Sequence, residues 1–253
     1  MIHSIKLVGA MQMSCFEGAF VINLDSRPDR WARMEANLAA VGITAERFPA
    51  VGVADLGPDQ PPLALRAFLQ RVDGPRPTAE HKLLTTWACM HSHLAIIKQA
   101  QQLGLSAVLI LEDDCEFEPY TSVVLKRACE QLQHRSWDVC YLGGTLKKGG
   151  VHKAVSANLL AVSRVRLAHA YIVNSSVYDR ILDEAPASGL PIDWYYSERL
   201  LPSINAYMVR PLLAQQRLMD VSDIEQVERK PKIKTRQALQ RWLAILRYGR
   251  PDL

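Results

Sequence analysis

The stretch 107–118, AVLILEDDCEFE, sets five consecutive apolar residues directly against Glu112, Asp113 and Asp114, with Glu116 and Glu118 close behind. A short apolar run bounded by polar residues and rich in β-branched and aliphatic side chains is a buried strand. Three adjacent carboxylates do not belong inside a protein. Two unit charges about 4 Å apart repel by roughly 4 kcal/mol at an effective dielectric of about 20. Either open water or a cation must offset that repulsion. In parallel α/β sheets ligands bind outside the carboxyl ends of the strands, so a core strand that ends in acids delivers them to the edge where a site is expected. Side chains alternate along a strand, which puts Glu112 and Asp114 on one face and turns Asp113 aside. Hard oxygen donors at a cleft mouth suit magnesium or manganese. The competing reading is a solvated helix start, where acidic residues are favoured anyway. Walker-type ATPases share the local pattern, but the chain carries no GxxxxGK[ST] loop.

Around this strand the pattern is α/β. AFVINL (19–24) reads as a first buried strand. Ser26 and Asp29 stand at capping-box spacing around Pro28, Trp31, Met34, Leu38 and Val41 share a helical face, and Gly42 closes the helix. A second strand is expected near 47–51 and a short helix near 63–71 inside the proline-rich segment 52–80. A long helix over 85–103 comes next, then the acidic strand, a helix over 122–133 and a strand over 138–142. A glycine and lysine loop, GGTLKKGG (143–150), leads to two strands within 157–174, a helix over 177–185, a helix opened by PIDWYYSERL (191–200) and a last strand within 205–215. No repeat or linker splits residues 1–228, so one domain is expected there.

At 253 residues, 49% hydrophobic and 22% charged, the chain can bury a sizeable core and is not of disordered composition. Its five cysteines are scattered and lack CxxC spacing, which fits a reducing compartment better than a disulfide framework. No stretch has the roughly 20 apolar residues of a membrane span, and the first twenty residues do not read as a signal peptide, so the expected compartment is the cytoplasm. Residues 229–253 differ, with eight basic residues against one acid. Ala238, Trp242, Ile245 and Leu246 fall at helical spacing there, so a basic amphipathic helix is expected. It would either lie on the cytoplasmic face of an anionic membrane or pack on the domain with a solvated basic face. Aromatic residues are too sparse in it for a nucleic-acid partner.

Taken in order, VINLDSRPDRWARMEANL (21–38), ERFPAV (46–51), CMHSH (89–93), VLILEDDCEF (108–117), WDVCYLGG (137–144), AYIV (170–173), PID (191–193) and SDI (222–224) resemble glycosyltransferase family 25. That family includes lipopolysaccharide and lipooligosaccharide glycosyltransferases and relatives that modify collagen hydroxylysine. The resemblance implies a GT-A-like fold, that is, a nucleotide-binding, Rossmann-like sheet flanked by helices. It implies transfer of galactose or glucose from a UDP-sugar to a glycan or lipid-linked glycan, with inversion. On that reading 112–114 are the metal motif. Asp114 is the principal ligand of Mn²⁺ or Mg²⁺, Glu112 faces the ribose or the metal, and Asp113 is the least fixed of the three. Arg27 and Arg30 would hold uracil or diphosphate oxygens. Asn23 would bond the nucleotide or only the backbone, and Ser92 and His93 match the family's Ser-His pair, His93 serving as a metal ligand, a phosphate contact or a histidine packed under the sheet. The chain departs from the family just upstream, where Thr85, Thr86, Trp87 and Ala88 replace a Gly-Glu pair.

An inverting transfer needs a base for the acceptor hydroxyl and positive charge on the leaving diphosphate. Asp193 is the expected base, with Glu198 behind it, and a helix cap is the competing role for Asp193. Lys147 and Lys148 would close over the diphosphate, while His169 and Tyr171 would line the cleft. Gln215, Gln216 and Asp223 resemble family positions near the site. Cys89 and His93 share a helix face, but His91 does not, and no fourth ligand has suitable spacing, which speaks against a zinc centre. Two other readings stand beside the transferase. One is a catalytically inactive relative that binds sugar nucleotide or glycan. The other is a sugar-nucleotide-forming nucleotidyltransferase, which would need a glycine-rich loop where NLDSRPDR (23–30) stands.

Overall fold

Val108, Leu109, Ile110 and Leu111 are all fully buried, because their strand has a helical layer on each face, the condition that produces continuous apolar runs. The computed structural model describes residues 15–57, 60–74, 79–217 and 235–249. In chain order the elements are β1 (Gly18–Asn23), α1 (Pro28–Val41), β2 (Glu46–Pro49), α2 (Leu63–Asp73), α3 (Ala79–Gln102), β3 (Ala107–Glu112), β4 (Cys115–Phe117) and α4 (Thr121–Leu132). There follow β5 (Val139–Tyr141), β6 (Thr145–Leu146), β7 (His152–Ala154), β8 (Leu159–Val162), β9 (Val165–Arg166), β10 (Ala170–Asn174), α5 (Tyr178–Ala187) and α6 (Ile192–Tyr195). The last are β11 (Ala206–Val209), β12 (Ala214–Gln216) and α7 (Thr235–Tyr248).

Eight strands form one sheet in the order β2-β1-β3-β10-β5-β11-β8-β7. It is mixed rather than parallel. β2, β1 and β3 run parallel, β10 is antiparallel to both β3 and β5, and β5 and β11 are parallel again. The carboxyl ends of β1, β3 and β5 therefore meet the amino end of β10 at one edge of the sheet. Two small ladders sit there, β4 with β12 and β6 with β9.

Alternation divides the core in two. Val108 and Ile110 join Trp87, Met90, Ile97, Tyr141 and Tyr171 on the α3 side, whereas Leu109 and Leu111 join Met34, Leu38, Val124 and Leu125 under α1 and α4. The whole is one α/β domain with helices on both faces of its sheet. Among the described residues no helix is long and apolar enough to cross a membrane.

Several local expectations are corrected. Ser26 and Asp29 form no capping box. The first turn of α1 follows Arg27 with Pro28 at its start, and Asp29 instead accepts from the Arg27 and Arg33 guanidiniums, which outcompete a backbone amide for a carboxylate. The single helix expected over 191–200 becomes α6 followed by a wide turn over Tyr196–Leu200. Tyr195, Tyr196 and Ser197 are all buried, and an ordinary helix turning about 100° per residue does not point three successive side chains inward. Cys15 and Cys129, expected as free thiols, are joined as a disulfide with Cα atoms 5.0 Å apart. The boundary expected at 228/229 and the SDI segment with Asp223 lie outside the described residues.

The face assigned to the C-terminal helix is also corrected. On α7, Ala244 is buried, Ile245 and Tyr248 pack against the α1–α4 side of the core, and Arg241 Nε donates to Glu118 Oε2 at 2.7 Å. Leu239, Trp242, Leu243 and Leu246 are left exposed. The helix thus docks on the domain and still presents an apolar seam outward.

Candidate active site

The alternation that splits the core also sorts the acids. Glu112 continues the Val108–Ile110 face and meets α3, where His93 Nε2 lies 3.3 Å from its Oε1. Asp113 continues the Leu109–Leu111 face and meets α1. Its Oδ1 accepts from Arg30 Nη1 at 3.1 Å and its Oδ2 from Asn23 Nδ2 at 2.7 Å. Burial pushes the Asp113 carboxyl up, and the bond from Asn23 and the charge of Arg30 oppose that shift. Asp114 occupies the turn into β4. Its carbonyl accepts from Arg217 N at 2.7 Å, and its carboxylate meets Gln216 Nε2 on β12 at 3.5 Å.

Asn23, Arg30 and Asp113 thus form a buried bracket tying the ends of β1 and β3 to α1. Arg47 closes the bracket from β2, donating to Asn23 Oδ1 at 2.8 Å. Ser92 is buried on α3. It accepts from Val51 N at 2.9 Å and donates to Ala88 O at 3.0 Å, stitching α3 to the loop after β2. Arg27 stays half-buried at the start of α1 beside Asp29. Lys147 and Lys148 are exposed in the loop between β6 and β7.

Cys89, on α3, lies near Glu112. Burial raises its thiol well above the ordinary range, and the charges of Glu112, Asp193 and Asp114 raise it further. The charges of all three acids act on this thiol, although Asp193 is 81 positions from Glu112 in sequence. Asp193 stands in the first turn of α6, where Oδ2 accepts from Leu167 N at 3.2 Å. Leu167 has φ 73°, a left-handed conformation that a non-glycine residue adopts only when its surroundings hold it. Burial raises the Asp193 carboxyl above the usual aspartate range, opposed by the Leu167 amide and by Arg166 and reinforced by Glu112.

The wall beyond Asp193 is aromatic and basic. Arg166, buried, lies over the Trp194 ring at 3.4 Å from its centroid and donates to Glu198 Oε1 at 2.7 Å. Arg164 holds the same carboxylate through Nη2 at 2.5 and 2.6 Å. Partial burial pushes Glu198 up, but the two guanidiniums hold it below its ordinary value. So engaged, Glu198 anchors Arg164 and Arg166. Below them Tyr171 Oη meets His93 Nδ1 at 2.9 Å and Tyr196 Oη at 3.2 Å. His169 is buried at the amino end of β10, where its carbonyl accepts from Glu112 N at 2.9 Å. Gly143 passes between the His169 ring and the Ala214 carbonyl so closely that a Cβ there would overlap both.

Sequence reasoning misses Arg166, Trp194 and Tyr196, whose strand and turn carry no motif, and it sets Cys89 aside. The i, i+4 spacing of Cys89 and His93 on α3 is the available signal. Glu112 is the third donor, placed within 4.8 Å of both by the sheet.

The family model described as "Glycosyltransferase family 25 (LPS biosynthesis protein)" matches residues 16–193. Residues 16–193 hold every one of these elements up to the start of α6, including Glu112, Asp114 and Asp193. A protein called "Glycosyltransferase 25 family member" from Drosophila pseudoobscura pseudoobscura is 35% identical over 127 residues, 49% of this chain and 20% of that protein. One of the same description from Aedes aegypti is 28% identical over 183 residues, 70% of this chain and 30% of its own length. The human "Inactive glycosyltransferase 25 family member 3" is 32% identical over 143 residues, 51% of this chain and 22% of that protein. This chain thus spans between a fifth and a third of the length of these relatives. A solved mannose-1-phosphate geranyltransferase from Thermus thermophilus aligns over 76% of this chain and 73% of its own at 12% identity, with a TM-score of only 0.33. On the span and order of the family match, the chain belongs to glycosyltransferase family 25.

Proposed function

We propose that the protein is a metal-dependent hexosyltransferase that moves galactose or glucose from a UDP-sugar to a glycan or lipid-linked glycan acceptor, with inversion. The observation that carries the reading is the placement of Glu112 and Asp114 at the carboxyl end of β3, with the charge of Asp193 acting on the same face of α3, in a chain of this family. The oxygen donors of Asp114 and Glu112 suit a hard divalent ion, Mn²⁺ or Mg²⁺, whose remaining positions are filled by water and diphosphate oxygens. When bound, that ion supplies positive charge for the leaving diphosphate. Asp114 and Glu112 hold it, Arg27 and Lys147 meet the donor from the rim, and Asp193 takes the proton of the acceptor hydroxyl. Trp194, held under Arg166, offers an aromatic surface beside that base for the face of a sugar ring.

The pH profile tests the base. A carboxyl must be ionised to accept a proton, and the acid limb of kcat/KM reports its value in the free enzyme. Because burial raises Asp193, activity should rise with pH through a midpoint above the ordinary aspartate value of about 3.9. Asp193→Asn should remove that limb and lower kcat by at least about 100-fold. An acid limb that persists in Asp193→Asn assigns the base elsewhere.

Family members described as inactive favour a second reading, in which the site binds donor or glycan without turnover. The change of a Gly-Glu pair to Thr85–Ala88 is what supports it in this chain. A panel of UDP-sugars with manganese separates the two, since an inactive relative releases no UDP above background.

We place the enzyme on the cytoplasmic face of an anionic membrane, where an amphiphilic acceptor lies. Support comes from the seam of Leu239, Trp242, Leu243 and Leu246 on α7 together with the eight basic residues of 229–253. The full chain should sediment with phosphatidylglycerol vesicles, and Trp242→Ser with Leu246→Ser should abolish this. Equal sedimentation of the double variant would remove the membrane from the account.

A further inference from the structure

The three donors around the floor of the cleft are not all hard. Cys89 Sγ, a His93 ring nitrogen and a Glu112 oxygen lie within 4.8 Å of one another. Helix spacing alone argues against such a centre, because it brings only residues 89 and 93 together. The sheet overrides that limit by ending β3 against α3, which puts Glu112 opposite both. We infer that Cys89, His93 and Glu112 form a transition-metal site for Zn²⁺, which shares only Glu112 with the oxygen site at Asp114.

Three features of the site fit zinc. Its ligand types are thiolate, imidazole and carboxylate, the set from which zinc sites with three protein ligands are built, and their fourth position is left to water or substrate. Tetrahedral zinc bonds of the usual lengths set imidazole nitrogen and carboxylate oxygen about 3.3 Å apart, and His93 Nε2 and Glu112 Oε1 are separated by 3.3 Å. His93 is completely buried with Nδ1 at 2.9 Å from the Tyr171 hydroxyl, the outer-shell arrangement that fixes an imidazole so that Nε2 points at a metal. Tyr171 is itself held by Tyr196 Oη at 3.2 Å. The half-buried Cys89 and Glu112 leave an entry path from the cleft. A soft sulfur donor discriminates against Mg²⁺ and Mn²⁺, and the Irving–Williams order places Zn²⁺ above Mn²⁺ at any nitrogen-containing site. One carboxylate provides two oxygens, so Glu112 can serve zinc through Oε1 and still border the diphosphate site.

The test uses the full chain without any sugar nucleotide, so its outcome is independent of transferase activity. Purified protein should retain about one zinc per chain after dialysis against a weak chelator. Cobalt substituted for that zinc should show the near-ultraviolet charge-transfer band of a thiolate–cobalt bond. Cys89→Ser should lose the band while keeping the wild-type circular-dichroism spectrum. Tyr171→Phe should keep the band but bind cobalt about 10-fold or more weakly. Glu112→Gln should weaken cobalt binding in the same assay, which also covers the case in which Cys89→Ser does not fold. Substoichiometric zinc with no cobalt band overturns the site, and so does a band that survives in Cys89→Ser, since the sulfur would then belong to another cysteine.

Discussion

Asp113→Ala should lower stability by about 3–5 kcal/mol, because it removes the carboxylate that faces the buried charge of Arg30. Both side chains are at most a tenth exposed, so water cannot replace the lost carboxylate. For a chain of this size the melting temperature should fall by roughly 10 °C, read by circular dichroism. Asn23 also loses its acceptor, which adds the cost of an unsatisfied amide. Removing both charges in Arg30→Met with Asp113→Leu should restore most of the loss, since a buried ion pair is often no better than apolar packing of similar volume. A single variant as stable as wild type would mean that the bracket between β1, β3 and α1 is ornamental.

Asp114→Asn should do the opposite. Asn matches Asp in shape and can still meet Gln216, and the 2.7 Å bond from Arg217 N to the backbone carbonyl is kept. The melting temperature should therefore fall by much less than in Asp113→Ala. Metal-dependent turnover should fall by at least about 100-fold, since charge stabilisation of the leaving group is worth several kcal/mol and each 1.36 kcal/mol is tenfold in rate. Adjacent aspartates thus separate cleanly, one by unfolding midpoint and one by rate.

That division is half legible in the sequence. Alternation alone turns Asp113 away from Glu112, and the structure places it so, but what Asp113 turns toward is Arg30, 83 positions earlier. Nothing local to either residue announces the pair, so Arg30 and Asn23 read from the sequence as ligands while their bonds to Asp113 stay hidden. The apolar runs and the faces of α1 and α4 are readable because periodicity is a local property of burial. The insertion of antiparallel β10 between β3 and β5 is not, because strand order depends on contacts far apart in sequence. The same holds for the Cys15–Cys129 link, which joins residues 114 apart, and for the third donor that completes the Cys89–His93 pair. On α7 the helix is legible and its orientation is not. Both of its sides carry apolar residues, and the domain decides which of them is covered.

The most direct measurement of the central claim is a crystal structure of the full chain grown with manganese and UDP. The account predicts anomalous manganese density at the Asp114 carboxylate with diphosphate oxygens completing its shell, and Arg27 on the nucleotide side. Manganese absent from Asp114 in a crystal that holds UDP, or UDP lodged away from the β3 end, would contradict it.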